Sequence, residues 1–355
     1  MWAKGSWLLT TPSSSIVTGN MFIQAYNEAV LWDLTTHTEH ALPTKPGAPG
    51  PYPASQAVVL LPLTPENDYM ETVLFCGGIE GMSKADWGGS HGPNVSVTLR
   101  PNSKACQAIS PLGDRQWTSP TQAPEGRTMA IFVNLPDGKI MWVGGGRYGS
   151  AGYGSPHSVG KPVGYSFSNV PGLSVWLLDP TTFEWTFAGS ITKPRLYHST
   201  ATLLSDGSVI IAGSNPNPDV STTVTYHTEY TVERWFPSWY EQPRPCRDFL
   251  PETFEYGHAF RISLRGSCKE GGINLMILSA KLRIIRTGFS THAVQWGQRS
   301  LDVDARIVDD FLEGTFVSNP NLFAPGPAMA FLVINRIPSR GKFVHIGPKS
   351  LPGEV

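Results

Sequence analysis

The sequence has no apolar run of about 18 residues, so no transmembrane helix is expected. Charge is scarce. Asp, Glu, Lys and Arg make up 15% of the 355 residues, and 27 Lys+Arg against 28 Asp+Glu leave a net charge of -1. Nothing in that balance suits a nucleic-acid partner or an anionic membrane surface. Disorder is excluded as well, because it needs more charge and fewer aromatics. There are four cysteines, Cys76, Cys106, Cys246 and Cys268. None forms a CxxC, so a zinc site is not expected. They fall into two local pairs, and two disulfides in an oxidising compartment are the expectation, with four buried thiols as the alternative. The opening stretch "MWAKGSWLLTTPSSS" lacks the continuous apolar core that a signal peptide needs.

What the chain has in quantity is turn formers and aromatics: 36 Gly, 31 Pro, 11 Trp and 11% aromatics overall. Many turns, many aromatics and few charges point to an all-β protein with long ordered loops. Three segments resemble one another: "ETVLFCGG", "LPDGKIMWVGGG" and "LSDGSVIIAGS". In the last two, Asp-Gly sits between short apolar runs, a hairpin signal. "AVLWDLTTHTEHALP" and "SVWLLDPTTFEWTFAG" read as a strand, a polar turn and an aromatic-bearing strand, the outer part of a blade. Repeated four-stranded units with double glycines and spaced tryptophans predict a kelch-type β-propeller. The repeat spacing is longer than the kelch period of about 50 residues, so loops must be inserted. "GGGRYGSAGYGSPHSVGKPVGYSFSNVPG" is such an insertion, either a functional face loop or a connector.

At "FPSWYEQPRPCRDF" the pattern changes, which divides the chain into residues 1–238, a partial propeller, and 239–355. "HAFRISL", "KLRIIRTG", "HAVQWG", "RSLDVDARIV", "GTFVS", "AMAFLVINR" and "GKFVHIG" read as the strands of an immunoglobulin-like sandwich. The first part holds about three and a half blades at this spacing, fewer than the four to eight of closed propellers.

The chemistry centres on Tyr197 and His198, which open the hairpin of "RLYHSTATLLSDGSVIIAGSNPNP". A phenolate and an imidazole at a blade's central end suit Cu(II), which needs a further nitrogen. His292, in the Gly-bounded "RTGFSTHAVQWGQRS", is the candidate. Taken alone, the same residues also fit structural or solvent-facing positions. His37 and His40 lie in a polar turn, and nothing singles out His157, His227 or His258.

"RLYHSTATLLSDGSVIIAGSNPNP" together with "GFSTHAVQWGQR" resembles the glyoxal oxidase branch of the copper radical oxidases, the wider group that includes galactose oxidase. The resemblance continues through "MFIQAYNEAVLWD", "YPASQAVVLLPLTPENDY", "EGRTMAIFVNLPDGK" and "NPNLFAPGPAMAFLVINRIPS". It implies a seven-bladed kelch propeller followed by an immunoglobulin-like domain, secreted from the cell. It further implies oxidation of simple aldehydes, through their hydrates, to acids, with O2 reduced to hydrogen peroxide that peroxidases could use. Tyr197 would be the axial phenolate and general base, and His198 and His292 the imidazole ligands of one copper ion. The family also carries a tyrosyl radical on a Tyr cross-linked to a Cys, in early blades. The resemblance instead pairs Cys76 with Cys106 as a structural disulfide. Met129 stands in "EGRTMAIF" where "RLYHS" has Tyr197, and neither Tyr148 nor Tyr153 receives a redox role. The Tyr-Cys cofactor is thus expected to be absent. With the missing leader and the low blade count, that implies a truncated copy whose 355 residues alone do not turn over. A non-catalytic partial propeller or decayed paralogue is the alternative, and a carbohydrate-binding module a third reading.

Overall fold

The computed structural model describes residues 9–10, 20–50, 55–86, 93–265 and 276–348. Among them the regular structure is β-strand apart from short 3-10 turns, and no helix is long and apolar enough to cross a membrane. Four antiparallel sheets follow one another along the chain. The first holds Leu9–Thr10, Asn20–Ala25, Glu28–Asp33 and Thr38–Ala41. Gln56–Leu60, Val73–Gly77 and Cys106–Ile109 make the second, and Ile131–Asn134, Ile140–Val143, Ser174–Leu178 and Trp185–Ser190 the third. Ser199–Leu203, Val209–Gly213 and Val232–Trp235 complete the fourth. Among the described residues these four sheets stand where the long repeat spacing suggested about three and a half, and a two-stranded sheet of Gly146–Tyr153 and Ser166–Pro171 is inserted within the third. Strand pairing does not join these sheets into a closed ring among the described residues.

The two Asp-Gly turns form as expected. Gly138 and Gly207 adopt φ of +95° and +86°, and Asp137 and Asp206 accept the backbone N–H two residues on. The first strands of the last three sheets pack side by side. Residues of Gln56–Leu60 and Ile131–Asn134 are buried throughout, because both faces of these strands are covered. The repeated arginine has a structural cause. Arg127 and Arg195 each lie four residues before a first strand and are fully buried. Each guanidinium donates to one carbonyl at the end of a strand and one at the start of another, Gly144 and Ser174 for Arg127, Gly213 and Thr231 for Arg195. Glu125 and Glu233 balance the two charges.

Cys76 and Cys106 face each other on neighbouring strands and form the expected disulfide. The Cys246–Cys268 pairing and most of the opening segment fall outside the described residues.

The C-terminal part is a two-layer sandwich. A sheet of Thr253–Phe254, Lys342–Ile346, Gly326–Ile334, Ala280–Arg286 and Arg299–Val303, with Ile337–Pro338 at its side, faces Ala259–Ser263, Phe311–Thr315 and Ala305–Val308. Ile262, Leu282, Leu301, Leu312 and Leu332 fill the space between. Two strand assignments from the sequence need correction. "RSLDVDARIV" is two strands, broken at Asp304, and its halves lie in different sheets. "HAVQWG" is not a sandwich strand. It is half of a separate hairpin, Phe289–Thr291 with Val294–Trp296. Buried polar contacts join the sandwich to the blades. Arg283 forms a bidentate pair with Asp302 at 2.5 and 2.6 Å and donates to the Pro136 carbonyl. Gln298 accepts from Asn134, and Leu63 pairs with Leu301.

Candidate metal centre

The hairpin of Phe289–Trp296 decides the site. It packs against the first strands of the second, third and fourth sheets, with Gln295 donating to the Ala201 carbonyl. Its turn has only two residues, His292 and Ala293, at φ of 54° and 64°. Two consecutive positive φ values define a type I′ turn, whose twist matches that of the flanking strands and which usually uses Asn-Gly. His-Ala here holds a costly conformation that places an imidazole at the tip. Ala293 is buried in the same apolar cluster as Tyr197, Leu196 and Met129, while Val294 belongs to a cluster formed with the first two sheets.

Tyr197 and His198 lie just before the first strand of the fourth sheet. The loop around them is tied at both sides: Leu196 N–H donates to the Ser214 hydroxyl, and Asn215 N–H to the Tyr197 carbonyl at 2.7 Å. Tyr197 is 6% exposed. His198 has φ of 64°, the left-handed region. The rings converge. Tyr197 and His198 are stacked with centroids 3.8 Å apart, Tyr197 and His292 are 5.5 Å apart, and His198 and His292 meet edge-on at 5.7 Å. All three candidates from the sequence therefore come together, two from the loop before the fourth sheet and one from the separate hairpin.

Their chemistry fits a metal. His198 Nδ1 lies 3.1 Å from the Asn215 carbonyl. A carbonyl only accepts, so Nδ1 carries the proton and the lone pair is on Nε2. A backbone carbonyl orienting a histidine in this way is the usual outer support of a metal-bound imidazole. His292 Nδ1 shares a hydrogen bond of 2.8 Å with the Thr291 hydroxyl. Burial lowers the pKa of both histidines; the Asn215 carbonyl opposes this at His198, and the nearby His198 adds to it at His292. Neutral imidazoles are what metal binding requires. Among the described residues no three His, Cys, Asp or Glu converge on one point, and the oxygen donor beside the two imidazoles is the Tyr197 phenol, whose ring lies against both. Two nitrogens and a phenolate oxygen are a copper-type set.

Among the described residues, three of the other histidines have neighbours outside this trio. His227 faces Glu229, His258 faces Glu255, and His37 lies near Trp32. Cys76 and Cys106 lie in an apolar cluster other than that of Tyr197. Sequence reasoning did not assign Tyr153 to the site, yet its ring is 6.2 Å from that of Tyr197. Its glycine-rich surroundings, Gly149 to Gly154, were the available signal.

Residues 14–239 match the family model "Glyoxal oxidase N-terminus", and residues 244–346 match "Galactose oxidase-like, Early set domain". The chain belongs to the glyoxal oxidase family. This glyoxal oxidase family chain is similar to "Aldehyde oxidase GLOX" of Vitis pseudoreticulata, with 29% identity over 343 residues, covering 93% of this chain and 60% of the relative. It is 27% identical over 364 residues to "Aldehyde oxidase GLOX1" of Arabidopsis thaliana, covering 92% of this chain and 53% of that one. The chain thus spans a little over half the length of these curated relatives. Its fold resembles a solved fungal alcohol oxidase of the AA5 family in complex with copper, at a TM-score of 0.63 and 16% identity, over 96% of this chain and 76% of that chain.

Proposed function

We propose that Tyr197, His198 and His292 hold one copper ion, and that the chain carries the copper half of an oxidase for small aldehydes. The convergence of these three rings supports the reading most strongly. The overall reaction would convert an aldehyde hydrate and O2 to a carboxylic acid and hydrogen peroxide. Copper, when bound, supplies a one-electron acceptor and a Lewis-acid position.

The chain's own residues do the rest. The Tyr197 phenolate oxygen would take the hydroxyl proton of the hydrate, as general base. The Asn215 carbonyl keeps His198 in the Nδ1–H tautomer, so that Nε2 would carry the lone pair offered to copper. The buried walls around Tyr197, which include Leu196, Ala293 and Met129, limit water there and strengthen the electrostatics of the proton transfer.

The second one-electron acceptor is a separate matter. The disulfide occupies the thiols of Cys76 and Cys106. That favours a second reading, in which these 355 residues bind copper without turnover and lack the Tyr-Cys cofactor of the family. The division into residues 1–238 and 239–355 belongs to the same reading, as do an extracellular location, which the disulfide suits, and peroxidases as consumers of the peroxide. The experiment is copper titration of the chain, followed by a peroxide assay with methylglyoxal. One equivalent of tightly bound copper, lost in Tyr197→Phe and His198→Ala, is expected. Peroxide from the loaded chain would favour the catalytic reading, and copper without peroxide the non-catalytic one. Absence of stoichiometric copper would overturn both.

A further inference from the structure

We infer that Tyr153 sets how bulky an aldehyde reaches Tyr197. The inference rests on the copper reading above and assigns a specificity role to a residue outside the ligand set. Tyr153 ends the strand Gly146–Tyr153, which pairs with Ser166–Pro171 in the long insertion of the third sheet. The pairing register shifts between Gly149 and Tyr153, and Gly149 and Gly152 both have positive φ, at 86° and 94°. A bulge of this kind re-aims a side chain. Here the re-aimed ring comes to 6.2 Å from the Tyr197 ring at an interplanar angle of 51°.

The insertion is a fixed wall and not a loose flap. Ser150 Oγ lies 3.2 Å from Ser55 Oγ, with both residues buried, and Ala151 joins the apolar cluster that holds Tyr197. Gly149 N–H donates to the Arg100 carbonyl, and Asn102 N–H to the Arg147 carbonyl. These bonds tie the strand to a loop of the second sheet. The wall therefore spans two sheets before it reaches the site. Tyr153 is 41% exposed whereas Tyr197 is 6% exposed. A molecule approaching Tyr197 on that side meets the Tyr153 ring first. A rigid aromatic wall admits small groups and clashes with branched ones, and discrimination by shape in such a pocket amounts to about 10–200-fold.

The test uses the full chain loaded with Cu(II) and titrated with formate, acetate and pivalate, carboxylates that stand in for hydrates of increasing width. The readout is the shift of the copper visible absorption band, which needs no turnover. The wild type is expected to bind acetate at least about tenfold more tightly than pivalate. Tyr153→Phe keeps that ratio, because the ring and not the hydroxyl forms the wall. Tyr153→Ala brings the ratio close to one with copper affinity unchanged. An unchanged ratio in Tyr153→Ala, or loss of its copper, would overturn the inference; the second outcome would make Tyr153 a packing residue. Failure of the wild type itself to take up copper would be a different result. It would remove the copper reading first and this inference with it.

Discussion

The Tyr197 ring lies flat against the imidazole of its own chain neighbour His198, with centroids 3.8 Å apart and planes inclined at 28°. Consecutive side chains in extended backbone point to opposite sides. The left-handed φ of 64° at His198 brings its ring to the same side as Tyr197. This geometry separates ligation from backbone cost. His198→Ala and His198→Gly should both weaken copper binding by more than about 100-fold, beyond the loss seen for outer-shell changes. His198→Gly should nevertheless be more stable than His198→Ala by about 1 kcal/mol, since only the alanine keeps a Cβ in the left-handed region. Isothermal titration with copper and denaturant unfolding check the two halves. Equal stability of the two variants would mean that the loop relaxes when the imidazole is gone.

The turn that carries His292 makes a second prediction. Ala293 has φ of 64° and is buried. Ala293→Gly relieves the backbone and loses one buried methyl, so its stability should stay within about 1 kcal/mol of wild type. Ala293→Val adds a β-branch at a conformation β-branched residues avoid and should cost about 2 kcal/mol or more. Thermal melts of the apo protein measure the difference.

Arg283 links the sandwich to the blades. Its buried guanidinium binds both Asp302 oxygens and the Pro136 carbonyl, and the Cβ of any residue replacing Gly138 would lie 2.5 Å from it. Among the described residues, Arg283→Ala leaves the Asp302 carboxylate with the exposed Lys281 as its side-chain partner. It should cost about 3–5 kcal/mol in urea unfolding. A loss below 1 kcal/mol would mean that water replaces the guanidinium.

Lys45 governs a pH dependence. It is 1% exposed, and its ammonium donates to the Pro46 and Ala48 carbonyls. Burial pushes its pKa down from 10.5 to about 8. Between those values the unfolded chain keeps a proton that the folded chain has released, so this residue's contribution to stability rises with pH across that window. Below about 8 both states are protonated and the full cost of the buried charge is present, about 3 kcal/mol. Lys45→Met should abolish the rise between pH 8 and pH 10 in denaturant unfolding. A rise that persists in the variant would assign it to another group.

Some of this molecule was legible in the sequence because the causes are local. The Asp-Gly turns need a positive φ within a few residues, and the apolar runs beside them form strands whatever lies further away. The convergence of Tyr197, His198 and His292 was foreshadowed by the motifs around them, and the Cys76–Cys106 disulfide by the family resemblance. The tertiary structure decided the rest, because it depends on contacts between distant segments. The break at Asp304 follows from the two strands having partners in different sheets. The "HAVQWG" segment has the alternation of a sandwich strand, but it is buried between blades, so its pattern matches either location. The glycines around Tyr153 mark an irregular strand but not where its ring ends up. Only the bulge, the Ser150–Ser55 contact and the packing of Ala151 bring its ring to Tyr197. Side-chain direction at a bulge depends on pairing register, and register is a property of two strands, not of one.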